Sequence, residues 1–276
     1  MAVQAAEDLT TIERARRYMR RNWQAIVVPC VFIAACFLIW EGIVRLGIWK
    51  EYLLPSPATV FDRIWHGIRN DTIPRAIGYS MKRLAIGYFI SIVIGVVFGM
   101  AIARFKIVEQ SLGVVVTGFQ ALPSITWLPL ALLWFGLNDR AIIFVIVMGS
   151  VMAITQSTAD GIKSIPTIYF RTARNLGASG PALYLRVVFP ASLPHVTTGM
   201  KLGWSFAWRS LMAAELIFVT PGLGHLLDTG RQFNDVSQVM AIMLVIVALG
   251  LLMDRLVFAR LEQWVRVRWG FAGINA

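Results

Sequence analysis

Long apolar runs alternate along this chain with short polar interruptions, and the lengths of the runs determine the class of fold. Residues 25–48 form a first run long enough for a bilayer crossing, which takes about 20 helical residues. A polar segment, residues 1–24, precedes it and carries Arg14, Arg16, Arg17, Arg20 and Arg21, as expected of a segment held in the cytoplasm. The run exceeds the core of a signal peptide and has no small-residue cleavage site, so it reads as a retained first span. Residues 49–80 are mixed: LPSP at residues 54–57 forms an extended turn, residues 58–69 are amphipathic, and the segment is expected along the outer membrane surface. Residues 81–103 form the second span, where Gly87, Gly95 and Gly99 allow close helix contact, by ordinary packing or by dimerisation. Residues 112–136 form a third run interrupted by Gln120, Pro123, Ser124 and Pro129. Prolines inside a bilayer free carbonyls that neighbouring protein or a water-filled path must satisfy, so this span is either a kinked packing helix or a path-lining one.

The fourth span, residues 141–157, follows a short external turn, and the fifth and sixth are expected over residues 195–219 and 238–253. The chain is therefore an all-α polytopic membrane protein with about six transmembrane helices. Its core runs over residues 81–257 and includes a cytoplasmic loop, residues 160–194, and a cytoplasmic tail, residues 258–276, closes it. Charge supports this orientation modestly: cations concentrate on the inner segments, while Lys82, Arg83, Arg140 and Arg231 are counted outside.

Residues 171–194, RTARNLGASGPALYLRVVFPASLP, are the longest interior stretch unfit for lipid, and they must project into water. Helical spacing up to Leu176 ends at Gly177, suited to a left-handed helix terminus, and Ser179 followed by Pro181 suits a new helix start. The new helix is expected over residues 181–188, ended by Pro190, with Leu183 and Val187 on one face and Tyr184 and Val188 beside it. Such a helix either docks on a partner or lies on the headgroups of membrane lipid.

Composition agrees with the apolar pattern: 57% of residues are hydrophobic and 15% charged, with mean hydropathy +0.67. A net charge of +11 raises nucleic acid as a partner, but arginines dispersed among spans, without a stacked basic and aromatic surface, fit anionic lipid instead. Cys30 and Cys36 fall in the first run, where six residues of helix separate them by about 9 Å, too far for a disulfide, and no metal-ligand spacing occurs. No Gly-Lys pair exists anywhere, so a phosphate-binding loop of the Gly-Lys type is absent, and no Ser/His/Asp constellation points to an enzyme.

The charged residues of the fifth span are the remaining candidates. Lys201, Ser205 and Arg209 recur every four residues and form one stripe, with Glu215 about 120° round the helix. Two cations at membrane depth favour an anion moving along them, although Lys201 is close enough to the inner end to reach the headgroups. Arg209 is expected on a path or against a buried partner, and Glu215 against another helix or a second copy of the chain. Trp204 and Trp208 either pack on neighbouring helices or line the path.

The polar stretch resembles the cytoplasmic coupling loop of permease subunits of bacterial ABC importers. Gly177 and Pro190 match that family's glycine and proline, Val187 and Phe189 replace its Ile and Leu, and of its Glu-Ala-Ala only Ala173 agrees, because Arg171 and Thr172 stand in the other places. Over residues 76–257, LPSITWLPLALLWFGL at 122–137 and GMKLGWSFAWRSLMAAELI at 199–217 look like the permeases of the nitrate, sulfonate and taurine import group. The resemblance implies a type I ABC importer permease fold in the bacterial inner membrane, working as a homodimer with both termini cytoplasmic. Two ABC ATPase subunits would dock at Arg171, Ala173, Gly177, Ser179, Pro181, Leu183, Tyr184, Val187, Phe189 and Pro190, and a periplasmic substrate-binding protein would deliver the nutrient. The chain itself would hold no cofactor, ATP and Mg being bound by the ATPase. Gln120, Ser124, Trp127, Lys201, Ser205, Trp208, Arg209 and Glu215 would line the path of a small anion, sulfonate or taurine ahead of nitrate or bicarbonate. The alternatives are an importer of a neutral or aromatic nutrient such as a pyrimidine precursor, and an ATP-independent secondary transporter, which calls for a paired acidic coupling residue or an inverted repeat that this sequence lacks.

Overall fold

A computed structural model describes residues Val27–Arg268, and it is helical with no strand among them. Residues 1–24, with their arginines, lie outside the described residues, as do residues 269–276 of the tail and the side chain of Pro181. The chain divides into two units, one ending at Asp62 and the other beginning at Arg63.

The first unit holds α1 (Val27–Arg45), an apolar helix of crossing length, and the start of α2 (Pro57–Arg69). The Trp40 indole N–H donates to the Pro55 carbonyl at 3.1 Å, so the LPSP turn folds back on α1. The Ser56 hydroxyl accepts the Thr59 N–H at 3.2 Å, and with Pro57 at the first helical position this fixes the start of α2.

The second unit opens with α3 (Thr72–Arg104), whose 33 residues begin nine positions before the second span was expected. The expected surface segment 49–80 is therefore two helices, and its end belongs to α3. The cause is local: Asp71, at φ 57, breaks the chain, and Pro74 falls in the first turn, where its missing N–H has no intrahelical partner to lose. Next come α4 (Lys106–Gln120), which contains a π turn at Glu109–Gly113, and α5 (Ser124–Phe135), which opens with a 3-10 turn at Ser124–Trp127. The two axes meet at 102°. Pro123 holds φ −56 and ψ 137, which no helix continues through, so the broken third span follows directly from its proline.

α6 (Asp139–Lys163) is the centre of the unit. The Asn138 side chain caps it by accepting the Arg140 N–H at 2.8 Å. α7 (Thr167–Asn175) and α8 (Gly180–Leu183) follow, and α8 passes through a π turn at Tyr184–Val188 into α9 (Phe189–Ile217). α10 (Leu223–Gln232) lies beside α11 (Val236–Met253), which continues through a π turn at Asp254–Phe258 into α12 (Ala259–Arg268).

Helices α3 and α9 both pack along α6 and also meet each other, as where the Tyr88 hydroxyl donates to the Met200 carbonyl at 2.6 Å. Glycines allow the approach. A Cβ at Gly95 would meet Ile154 Cβ at 2.8 Å, and one at Gly99 would sit 2.7 Å from the Thr155 carbonyl oxygen. The glycine spacing expected for packing or dimerisation therefore serves packing within the chain. Ile142, Val145, Ile146, Ile154, Ala207, Leu211 and Ala214 fill the interior between these helices.

Helices α1, α3, α6 and α11 with its continuation are long and apolar enough to cross a membrane, and α4 with α5 make a bent fifth element. α9 is the sixth. Its 29 residues are of crossing length, and its Ser192, Thr197, Ser210 and Glu215 are buried against protein, which explains how so polar a helix fits among apolar ones.

Candidate coupling loop and translocation face

The polar loop between α6 and α9 is built around a helix terminus. Gly177 adopts φ +83 and donates its N–H to the Arg174 carbonyl at 2.9 Å, while Ala178 donates to the Ala173 carbonyl at 2.9 Å. These are the two bonds of a Schellman motif, so the bend expected at Gly177 is present, and a left-handed backbone is the reason for glycine there. The accompanying apolar contact is also made: Ala173 and Ala178 share a cluster with Ile162, Ile165, Leu183 and Val188.

That cluster corrects two expectations. Leu183 and Val188 are buried against the chain's own helices, with Val187 and Tyr184 half-buried beside them, so these four side chains brace the loop from within, while Ala182 and Arg186 are exposed on the same segment. Pro190 does not end the helix. The chain remains helical from Gly180 to Ile217, because the π turn shifts the hydrogen bond of Phe189 to the Tyr184 carbonyl, five residues back. That wider turn relieves the clash a proline ring makes with the carbonyl four residues before it. Phe189 and Pro190 are half-buried in the resulting continuous helix.

The loop's large exposed apolar side chains lie on α7. Ile168, Tyr169 and Leu176 are 60%, 49% and 83% exposed, and Arg171 and Arg174 are exposed among them. Ala173, one residue of the family pattern retained here, faces inward, and Ser179 is exposed next to the start of α8. The Arg104 guanidinium lies 5.3 Å from the Tyr184 ring centroid, a cation–π contact that joins the end of α3 to the loop.

On α9, Thr198, Ser205 and Arg209 are exposed along one face, and Lys201 lies at its edge. The Lys201 ammonium pairs with Asp254 at 3.0 Å, half-exposed on both sides. Trp204 and Trp208 stack with centroids 6.4 Å apart. Trp204 also meets the edge of Tyr88 at 5.3 Å and Phe258 at 5.6 Å, so the aromatic pair is a packing feature tying α9 to α3 and the last helix. Of the broken-span residues, Gln120 is exposed, Trp127 is half-buried and packs edge-on against Phe119 and Phe144, and Ser124 approaches α6 at Gly149, where Ser210 of α9 also arrives.

Glu215, counted among the path residues and expected against another helix, is fully buried and does meet another helix. Its carboxylate accepts the Ser80 hydroxyl at 2.7 Å, Arg83 Nη1 at 2.8 Å and the Gly224 N–H at 3.0 Å. Arg83, counted among the outer surface cations, has a side chain only 4% exposed, and it donates as well to the Pro221 carbonyl at 2.7 Å and to Asp139 at 2.9 Å. The Ser80 hydroxyl accepts the Leu223 N–H at 2.9 Å. One buried ion pair thus joins α3, the start of α6, the end of α9 and the turn into α10. Gly222 and Gly224 leave room for it: a Cβ on Gly222 would lie 2.5 Å from the Glu215 carboxyl carbon. The signal for this network in the sequence was the PGLG turn after Glu215; the partner was out of sight because Arg83 is 132 positions away.

Comparison with known proteins agrees with this arrangement. The profile of the family described as "Binding-protein-dependent transport system inner membrane component" matches residues 91–267, more than half of the chain. The taurine transport system permease protein TauC of Escherichia coli is 27% identical over 240 residues, covering 84% of this chain and 87% of that protein. The putative aliphatic sulfonates transport permease protein SsuC of Bacillus subtilis is 28% identical over 275 residues, 98% of each chain. Among solved structures, an inward-facing form of the MetNI methionine ABC transporter superposes with a TM-score of 0.60 at 18% identity, covering 69% of this chain and 94% of that one, a likeness of fold.

Proposed function

Because the chain belongs to the inner membrane components of binding-protein-dependent transport systems, and so is a permease subunit of an ABC importer, we propose that two copies of it form the path for a small anionic nutrient, driven by two separate ATPase subunits. The ATPases bind ATP and Mg, and a periplasmic binding protein delivers the nutrient. Both chain termini lie in the cytoplasm of a bacterial cell. Organic sulfonates, taurine among them, are the first substrate class to test, in keeping with the transport named for the two relatives.

The observation that carries this reading is the surface of α7. Three large apolar side chains, Ile168, Tyr169 and Leu176, stand out beside Arg171 and Arg174 on a segment braced from behind by the buried Ala173, Leu183 and Val188. A rigid, water-facing patch of this kind is what an ATPase needs in order to push on the spans, since alternating access works by rigid-body movement of a bistable dimer. Arg171 in place of the family's acidic residue makes the patch basic, and the contacting ATPase surface is acidic there.

The test is co-purification. Ile168→Asp with Leu176→Asp is expected to abolish association with the cognate ATPase while the permease keeps its thermal unfolding midpoint. Leu183→Asp, by contrast, lowers the yield of folded permease itself. ATPase that stays bound to the double variant in undiminished amount overturns the assignment. Uptake of taurine, ethanesulfonate and bicarbonate into vesicles carrying the complete complex then identifies the nutrient.

A further inference from the structure

α9 carries charges whose states of pairing differ. Lys201 is neutralised by Asp254 at 3.0 Å and Glu215 by Arg83 at 2.8 Å. Arg209 has no carboxylate within ion-pair distance among the described residues. Its contacts are internal to its own helix: Nε donates to the Ser205 carbonyl at 3.1 Å, Nη2 donates to the Ser205 hydroxyl at 3.0 Å, and the guanidinium carbon lies 4.9 Å from the Phe206 ring centroid.

Those contacts hold the side chain without neutralising it. Ser205 fixes one edge of the planar fork and Phe206 supports its face. An arginine has five N–H bonds, and two are used here, so Nη1 and the second N–H of Nη2 stay open to a partner able to accept two parallel bonds. Arg209 is eight residues, about 12 Å, from the outer end of α9, too deep for a side chain facing lipid to keep its charge hydrated. Its face is therefore turned to protein or to a water-filled path and not to lipid.

The acid that a neighbouring element brings to α9 two turns before Arg209, Asp254, is already engaged by Lys201. Ser210, the next residue, meets Gly149 of α6 at the point where Ser124 of the broken span also approaches. On α6 the nearest carboxylate without a basic partner is Asp160, hydrogen-bonded to Gln156 and eleven residues, about 16 Å, further along the helix from Gly149. That is beyond the length of a small zwitterion seated at Arg209.

We propose that Arg209 is the charge-selecting site of the permease: each copy offers one uncompensated guanidinium that takes a singly charged oxyanion through bidentate hydrogen bonds, and zwitterions pass less favourably because the described residues offer their ammonium no unpaired carboxylate beside Arg209. The proposal rests on reading this face of α9 as the translocation path and specifies the charge the path accepts. It ranks plain sulfonates and other monovalent oxyanions above taurine at this step, whatever the binding protein prefers.

The test uses cysteines bracketing the site on its own face. Leu202 and Leu216 lie seven residues before and after Arg209 and are 44% and 36% exposed. In the full complex, with Cys30 and Cys36 replaced by Ala, Leu202→Cys and Leu216→Cys are each reacted with an anionic and a cationic methanethiosulfonate. The anionic reagent is expected to be favoured, and Arg209→Gln is expected to lower the ratio of the two rates about tenfold. Methanesulfonate at millimolar concentration slows the labelling when Arg209 is present and has no effect in Arg209→Gln, and equimolar taurine protects less. Failure of both cysteines to react with either reagent, a rate ratio indifferent to Arg209→Gln, or equal protection by taurine overturns the proposal. ATPase co-purification with these variants is read in parallel. Its persistence marks a failure of charge selection alone, and its loss in the parent complex marks a failure of the importer reading.

Discussion

Replacing Arg83 tests the interior where α3, α6 and α9 meet the turn into α10. Arg83→Met keeps a long apolar side chain in a pocket where the arginine is 4% exposed, but it removes the cation beside a Glu215 carboxylate that is 0% exposed. It also takes a donor from the Pro221 carbonyl and from Asp139. Breaking a buried pair by removing one partner costs about 3–5 kcal/mol, because a charge is left without compensation. Glu215 retains the Ser80 hydroxyl and the Gly224 N–H, which offset part of that loss and place the expected cost near the lower bound, about 3 kcal/mol. Glu215→Gln alone is also destabilising, since Arg83 is then left with Asp139, which is 60% exposed and a weaker counter-charge. The double variant has neither orphan, so its cost falls short of the sum of the two by about 1–3 kcal/mol. Equilibrium unfolding in mixed micelles of mild detergent and dodecyl sulfate, followed by tryptophan fluorescence, gives the three differences. If the double variant equals the sum of the singles within about 0.5 kcal/mol, the two groups act independently and the network is not what fastens these helices.

Two further outcomes follow from the packing and the surface. Gly99→Ala forces a Cβ to within 2.7 Å of the Thr155 carbonyl oxygen on the facing helix, where backbone cannot yield without separating α3 from α6, and a loss of about 1–3 kcal/mol in the same unfolding measurement is expected. Lys201→Ala removes a half-exposed ion pair and should shift stability by less than about 1 kcal/mol, with any loss diminishing as salt is raised; a larger effect would show that the Lys201–Asp254 bridge is structural.

Much of this architecture was legible as local chemistry. Run lengths indicated the spans, Pro123 the break, and Gly177 the left-handed terminus, because each depends on residues close in sequence. What could not be read locally was direction. The apolar residues at 183 and 188 looked free only because the surface that covers them, Ile162, Ile165 and Ala173, is supplied by other helices. Pro190 looked like a stop because a π turn, which accommodates it, has no distinct composition. Glu215 was readable as leaving the Arg209 face for another helix, but its partners Arg83 and Ser80 are too far away in the chain to be named from helix count alone. The glycines of α3 were ambiguous for the same reason: spacing reports that something approaches closely and leaves open what does.

The uninterrupted helix from Gly180 to Ile217 has a mechanical consequence. Its 38 residues follow about 57 Å of helix, with one end embedded in the loop beside α7 and the other pinned through Glu215. Displacement of such a helix grows in proportion to distance from its pin, so a tilt of about 5° about the pinned end sweeps the loop end through about 5 Å, whereas Arg209, near the pin, moves by only about 1 Å. A large displacement at the loop end is thereby geared down to a fine adjustment at Arg209.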